Sequence, residues 1–299
     1  MPSPESVALG RYRARRKLVD NIADLARSAW REVLPASLDV SWSRAAGPLL
    51  VALSGAQLAA AQDADGYLGE VLGAQGIDPA ADGTTAARSL AGIASDGRDL
   101  ATLLDQPMIA TKVAISGGAT VADALATGYS TLDMIVRTQV ADAGRVADQV
   151  ALTARRNANG YVRMVVGRTC SRCIVLAGRW YRWNAGFDRH PRCDCVHIPS
   201  REAVGGDMAL DPRRTFDALS EAEQDKVFGK AGAEAIRKGV DIARVVNARR
   251  GMQTAADGRL YTTEAAGKRP RLMPEQILRE AGGSRDEALR LLRLHGYIR

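Results

Sequence analysis

The sequence predicts an α+β fold, mainly α: a helical N-terminal part, a small β-containing module dense in Cys and His, and a helical C-terminal part. Three observations predict it. Apolar residues recur at helical spacing ahead of residue 157, and capping and stop signals for helices return beyond Pro199. A β-type run begins at Tyr161. All four Cys and two of the three His lie between positions 170 and 197. The chain has 299 residues, 46% of them hydrophobic and 25% charged, which suits two or three modules and excludes disorder or collagen-like structure. The longest apolar stretch, Ala45 to Ala61, is broken by Gly47, Pro48, Ser54, Gly55 and Gln57. It falls short of the ~20 apolar residues of a membrane span. The first residues carry no apolar signal-peptide core. The expectation is a soluble chain made in a cytosol, with no membrane partner.

Region 1–157 reads as helices. Leu18, Ile22, Leu25, Ala29 and Val33 repeat at helical spacing, and Pro35 ends that first helix. The helix begins with the basic run Arg11, Arg13, Arg15, Arg16, Lys17. Further helices are predicted around 43–75, 84–95, 97–115 and 120–156, with breaks at Gly76 to Gly83 and at Gly117-Gly118. Module 158–200 follows Asn157-Ala-Asn-Gly160. Tyr161 to Val166 reads as one strand, and Ile174, Val175 and Leu176 begin another. Region 201–299 returns to helices. Ser220 with Glu223 forms a capping box, Gly239 closes a helix from Ala231 to Lys238, and Asp241 caps Ile242 to Arg250. Pro274 to Ala281 and Ser284 to Leu294 form a terminal pair. No repeat of 20–50 residues is present, which excludes a solenoid.

The net charge of +7 is unevenly spread. Residues 1–150 hold 13 Lys and Arg against 17 Asp and Glu, whereas residues 151–299 hold 28 against 17. Between 151 and 200 there are nine Arg, no Lys, and two acids, Asp188 and Asp194. Arg without Lys points to geometric pairing with phosphates or carboxylates. The rival explanation is compositional, since the whole chain has six Lys.

The pattern that carries chemistry is Cys170-x2-Cys173, then His190-x2-Cys193-x-Cys195. A Cys-x2-Cys turn places two thiolates on one side of a knuckle, able to share a tetrahedral Zn²⁺. Cys193 and Cys195, two apart on an extended segment, face the same way and complete a four-sulfur site. Alternatively His190 and Cys193 supply the second pair, so four of these five residues are the expected ligands. Disulfides conflict with a reducing cytosol, and a thioredoxin-like pair requires a βαβ context that is absent. With the ligand supply saturated and the nearest acids, Asp188 and Asp194, flanked by Arg189 and Arg192, the metal is read as structural, making the middle part a zinc-stapled β-containing module. No phosphate-binding Gly loop, nucleophile elbow or zinc-deaminase signature occurs. His295 reads as a helix-end cap, and Arg244 to Arg250 as a solvated helix face.

The run Cys170-Ser-Arg-Cys173, Leu176-Ala-Gly178, His190-Pro-Arg-Cys193-Asp-Cys195 and Pro199 resembles the C-terminal domain of phage Mu F-like minor head proteins of the actinobacteriophage type. Arg137-Thr138 is similar to the Arg-Thr that precedes that module. Phe216, Phe228-Gly-Lys-Ala-Gly, Val246-Asn-Ala-Arg-Arg-Gly-Met252, Pro274-Glu-Gln-Ile and His295-Gly-Tyr-Ile are similar to the tails of such proteins. The resemblance covers about 130–299. It implies a structural minor capsid protein of head morphogenesis, associated with the portal protein and the major capsid protein. The implied location is the capsid interior and portal vertex of a virion assembled in the host cytoplasm. No catalysis is implied. The basic half suits non-specific contact with packaged double-stranded DNA, through Arg179, Arg182, Arg189 and Arg192. The rival readings are a capsid maturation protease or zinc-dependent nuclease, and a DNA-binding regulator ending in the 274–295 helical pair.

Overall fold

The computed structural model describes residues 2–166, 170–184, 195–205, 211–249, 252–254, 260–262, 271–272, 274–282, 284, 287, 290–291 and 294–295. It is mainly helical, with a small three-stranded antiparallel sheet and a second, shorter one. The chain divides into two compact units. The first comprises Met1–Val166 and Trp180–Met208, the second Gly167–Arg179 and Ala209–Arg299.

In the first unit, helix α1 (Pro4–Arg31) starts where the Ser3 hydroxyl accepts from the Ser6 amide, with Pro4 at its first position. Helix α2 (Leu38–Gln62) carries Pro48 inside it and is followed by α3 (Ala64–Gly73). By length and composition alone, Pro35–Gly73 would pass as a membrane-crossing stretch. Its Trp42, Leu49 and Leu53 are instead buried in one core with Ile22 and Trp30 of α1. Short α4 (Leu100–Leu103) and α5 (Gln106–Ser116) lead to the long α6 (Val121–Thr153), capped by the Thr120 side chain. Leu132, Val136 and Val140 of α6 complete that core. Trp30 and Trp42 meet edge to face at 5.2 Å, and each indole N–H donates to a carbonyl, Leu125 and Leu104 respectively.

The stretch 84–95, expected as a helix, forms a single tight turn at Ala87–Leu90 and then a loop. Gly92 and Gly97 hold positive φ there, and side chains from α2 and α6 satisfy the loop backbone. Gln57 accepts from the Gly92 amide and Gln139 from the Ser95 amide.

Strand β1 (Gly160–Val165) follows α6. The chain then forms α7 (Ser171–Leu176) in the second unit and returns as β2 (Trp180–Arg182) and β3 (Cys195–Ser200). The sheet order is β2-β1-β3, antiparallel, with Tyr161 opposite both Tyr181 and Pro199 and Val165 opposite Cys195. Its inner residues Tyr161, Val162, Val196 and Ile198 pack with Tyr67, Leu68, Leu72 and Leu152 into a second core. Each such side chain contributes roughly 1.5–3 kcal/mol by leaving water. A Cβ at Gly160 would run into the Tyr181 carbonyl and the Trp180 ring, so this register requires glycine. α8 (Glu202–Gly205) ends the described part of this unit.

In the second unit, α9 (Pro212–Asp217), α10 (Glu221–Phe228), α11 (Lys230–Arg237) and α12 (Ile242–Ala248) gather around Phe216, Phe228, Ile236 and Val245. The expected capping box is present: Ser220 accepts from the Glu223 amide while the Glu223 carboxylate accepts from the Ser220 amide. Gly239, at φ +96°, closes α11. The run Ile174-Val175-Leu176 is helical, not a strand. Burying Ile174 and Val175 in this core outweighs the β preference of the two branched residues. β4 (Met252–Thr254), β5 (Leu260–Thr262) and β6 (Arg271–Leu272) form the second sheet, and α13 (Pro274–Glu280) adds Ile277 to the core.

Candidate functional site

Cys170 is the residue that precedes α7, and Cys173 is buried within it, both in the second unit. Cys195 opens β3 of the first unit and is fully buried. His190, Cys193, Arg189 and Arg192 lie outside the described residues. Among the described residues, no group of three or more His, Cys, Asp and Glu could hold a metal ion. The expected structural zinc is therefore corrected, and with it the zinc-stapled character of the β-containing module. The spacing argument treats 170–195 as one knuckle. Cys170 and Cys173 are assigned to the second unit and Cys195 to the first, where the Cys195 carbonyl accepts from a network of arginines.

That network is a buried cluster of three arginines and two aspartates in the first unit, and the sequence reasoning missed it. Arg11 and Arg15, one turn apart on α1, face Asp142, Arg145 and Asp148 on α6. All five are buried, Asp148 to 1% exposure. Arg11 Nη2 donates to Asp148 Oδ1 and to the Ala60 carbonyl, each at 2.8 Å, and Arg15 Nη1 lies 3.5 Å from Asp148 Oδ2. Arg145 Nη1 pairs with Asp142 Oδ1 at 3.0 Å, while its Nε donates to the Cys195 carbonyl at 3.1 Å. Arg15 Nη2 reaches the same carbonyl at 3.5 Å. Gly144 makes the room, since a Cβ there would stand 3.0 Å from Arg15 Cδ. Burial first, then the neighbouring Arg145 charge, pull Arg15 down to about 10, with Asp148 opposing. Tyr67, whose hydroxyl donates to the His197 carbonyl, is pushed well above the ordinary tyrosine value by burial and then by Asp148. Both carboxylates lie in ion pairs with these guanidiniums. The chemistry on offer is anchorage of β3 to α1 and α6. The signal available in the sequence was the alignment of Arg11 and Arg15 with the apolar stripe of Ala8, Val19 and Ile22, in a run whose Arg13, Arg16 and Lys17 are exposed.

A second feature lies wholly in the second unit. Arg179, after α7, lines a cleft of about 660 Å³ together with Arg213 of α9 and Arg244 of α12. Val175, Val240 and Ile242 form its floor. Arg213 is fixed by hydrogen bonds to Asp217 and to the Ile236 carbonyl and stacks over the Phe216 ring. The two acids at the rim, Asp211 and Asp241, cap helices by accepting the Arg213 and Arg244 amides. Of the four arginines expected to meet phosphate, Arg179 thus joins a cluster, while Arg182 sits exposed at the end of β2 in the first unit. Of the partners of Arg179 in the cleft, Arg244 was read as part of a solvated helix face and Arg213 was not singled out. No family model matches the chain, no curated protein matches it, and no solved structure matches it.

Proposed function

We propose that this chain is a structural minor capsid protein of tailed-phage head morphogenesis, acting through geometry at the portal and the procapsid interior. Its partners in this reading are the portal protein and the major capsid protein, with non-specific contact to packaged double-stranded DNA. One observation supports it above the others: the described residues that carry the family resemblance serve as joints. The Cys195 carbonyl accepts from Arg145, and the Pro199 carbonyl accepts from Gln75 at 2.8 Å, tying β3 to the bundle. Arg137, of the Arg-Thr pair, bridges Asp20 of α1 and Asp133 of its own helix at 2.8 Å each. A residue locked into such a joint suits load-bearing assembly better than turnover. The test is complementation of a phage lacking this protein, with portal co-purification. Arg145→Ala is expected to lose portal association and give aberrant heads, while major capsid protein is still processed. If Ala at Asp188, Asp194 or Ser171 stalls capsid-protein cleavage in a folded chain, the maturation-protease reading replaces this one.

A further inference from the structure

We propose that the arginine-rimmed cleft of the second unit is a binding site for a phosphate monoester. Three arginines line it from three separate elements: Arg179 after α7, Arg213 on α9 and Arg244 on α12. Arg213 is preorganised by Asp217, the Ile236 carbonyl and the Phe216 ring. Arg179 and Arg244 have no side-chain hydrogen bond or ion pair among the described residues, so their donors are available to a ligand. Two acids, Asp211 and Asp241, share the rim with these arginines, and each has an oxygen directed to backbone. Asp211 Oδ1 and Asp241 Oδ1 each accept a backbone amide, at 2.8 and 2.9 Å, to start a helix.

Planar guanidinium forks match the oxygens of phosphate, and a terminal phosphate offers three of them and about two negative charges. A carboxylate, with two oxygens and one charge, matches the Arg179 and Arg244 forks less fully than a terminal phosphate does, and the Nη2 of Arg213 adds a further donor beside them. The volume, about 660 Å³, fits a ligand of nucleotide size. A concave site of that size admits a chain end or a free nucleotide, whereas the flank of an intact duplex would lie across its mouth. The two sources share one chemistry, a phosphate on a single ester bond. This inference stands apart from the assembly role, because phosphate binding needs no phage head and either can fail alone.

The test titrates the full chain at low salt with adenosine 5′-monophosphate, adenosine, and one single-stranded oligonucleotide with and without a 5′-phosphate. Adenosine 5′-monophosphate is expected to bind and adenosine not to. Arg179→Gln and Arg244→Gln should each weaken binding by about tenfold with unchanged melting temperature, since neither side chain holds the fold. Preference for the 5′-phosphorylated oligonucleotide over the bare one assigns a strand end as ligand. The nucleotide binding without that preference assigns a free nucleotide. Equal affinity for nucleotide and nucleoside, no binding of either, or variants that bind like the original chain would overturn the proposal.

Discussion

Asp148 holds two buried cations, Arg11 at 2.8 Å and Arg15 at 3.5 Å, with 1% of its side chain exposed. Asp148→Ala leaves both guanidiniums buried with one carboxylate fewer, and should lower stability by about 3–5 kcal/mol in urea unfolding. Asp63, which is 72% exposed and 3.7 Å from Arg11, serves as the control, with Asp63→Ala expected to shift stability by less than about 1 kcal/mol. Asp65 sets a pH dependence. Burial pushes its carboxyl up, but the Thr85 amide and the Arg155 guanidinium together hold it below its ordinary 3.8. A carboxylate with a depressed folded pKa stabilises the fold above its ordinary value and loses that contribution as pH falls through the folded one. The urea midpoint of Asp65→Asn should therefore be lower at neutral pH and fall less steeply below about pH 4 than that of the parent chain. At this scale the sequence exposed little of the site. A buried arginine and a solvated one are the same letter, and only their place on the stripe of α1 that carries Ala8, Val19 and Ile22 distinguishes Arg11 and Arg15 from Arg13 and Arg16.

Helices test their glycines in two opposite ways. In α6, a Cβ at Gly128 would meet Thr111 and stand 2.6 Å from the Trp30 ring, where α1, α5 and α6 approach. Gly128→Ala should cost roughly 1–3 kcal/mol. In α3, a Cβ at Gly66 would meet nothing within 4 Å, so Gly66→Ala should gain up to about 1 kcal/mol from helix propensity alone. Thermal melts of the two variants should move in opposite directions. Elements whose determinants are local were legible: the Ser220 and Glu223 box, the Gly239 stop, and the long helix beginning at Val121. Those with distant determinants were not. The loop at 91–99 depends on Gln57 and Gln139, 35 and 44 residues away from the amides they accept. Helix α7 depends on Phe216 and Val245, which the short run Ile174-Val175-Leu176 cannot announce.

At the scale of the molecule, each unit has its own core, around Leu53 and Leu132 in the first and around Phe216 and Phe228 in the second. Leu53→Ala should remove about 2–5 kcal/mol, read as lost amide hydrogen-exchange protection across α1, α2 and α6. Phe216→Ala should remove about 3–5 kcal/mol of protection in α9 to α12. A uniform loss from either variant would mean that one cooperative transition spans both units. The cysteine cluster was the most conspicuous signal in the sequence, and the structural zinc read from it is not borne out among the described residues. Linear spacing takes 170–195 as one neighbourhood, whereas the chain spends 167–179 in one unit and 180–208 in the other.

That excursion fixes an order of events during synthesis. α7 leaves the ribosome carrying Ile174 and Val175, whose cover includes Phe216, Phe228 and Ile236. Some forty to sixty residues separate them, a wait of roughly 2–12 s at about 5–20 residues per second. During that interval the first unit can complete its sheet through Ser200, while an apolar turn of helix on the same chain has nothing to pack against. Translation that stops just after Met208 would release a finished first unit with α7 uncovered. Such a fragment would carry a sticky patch that the full-length chain conceals, and nascent-chain quality control would have a reason to find it.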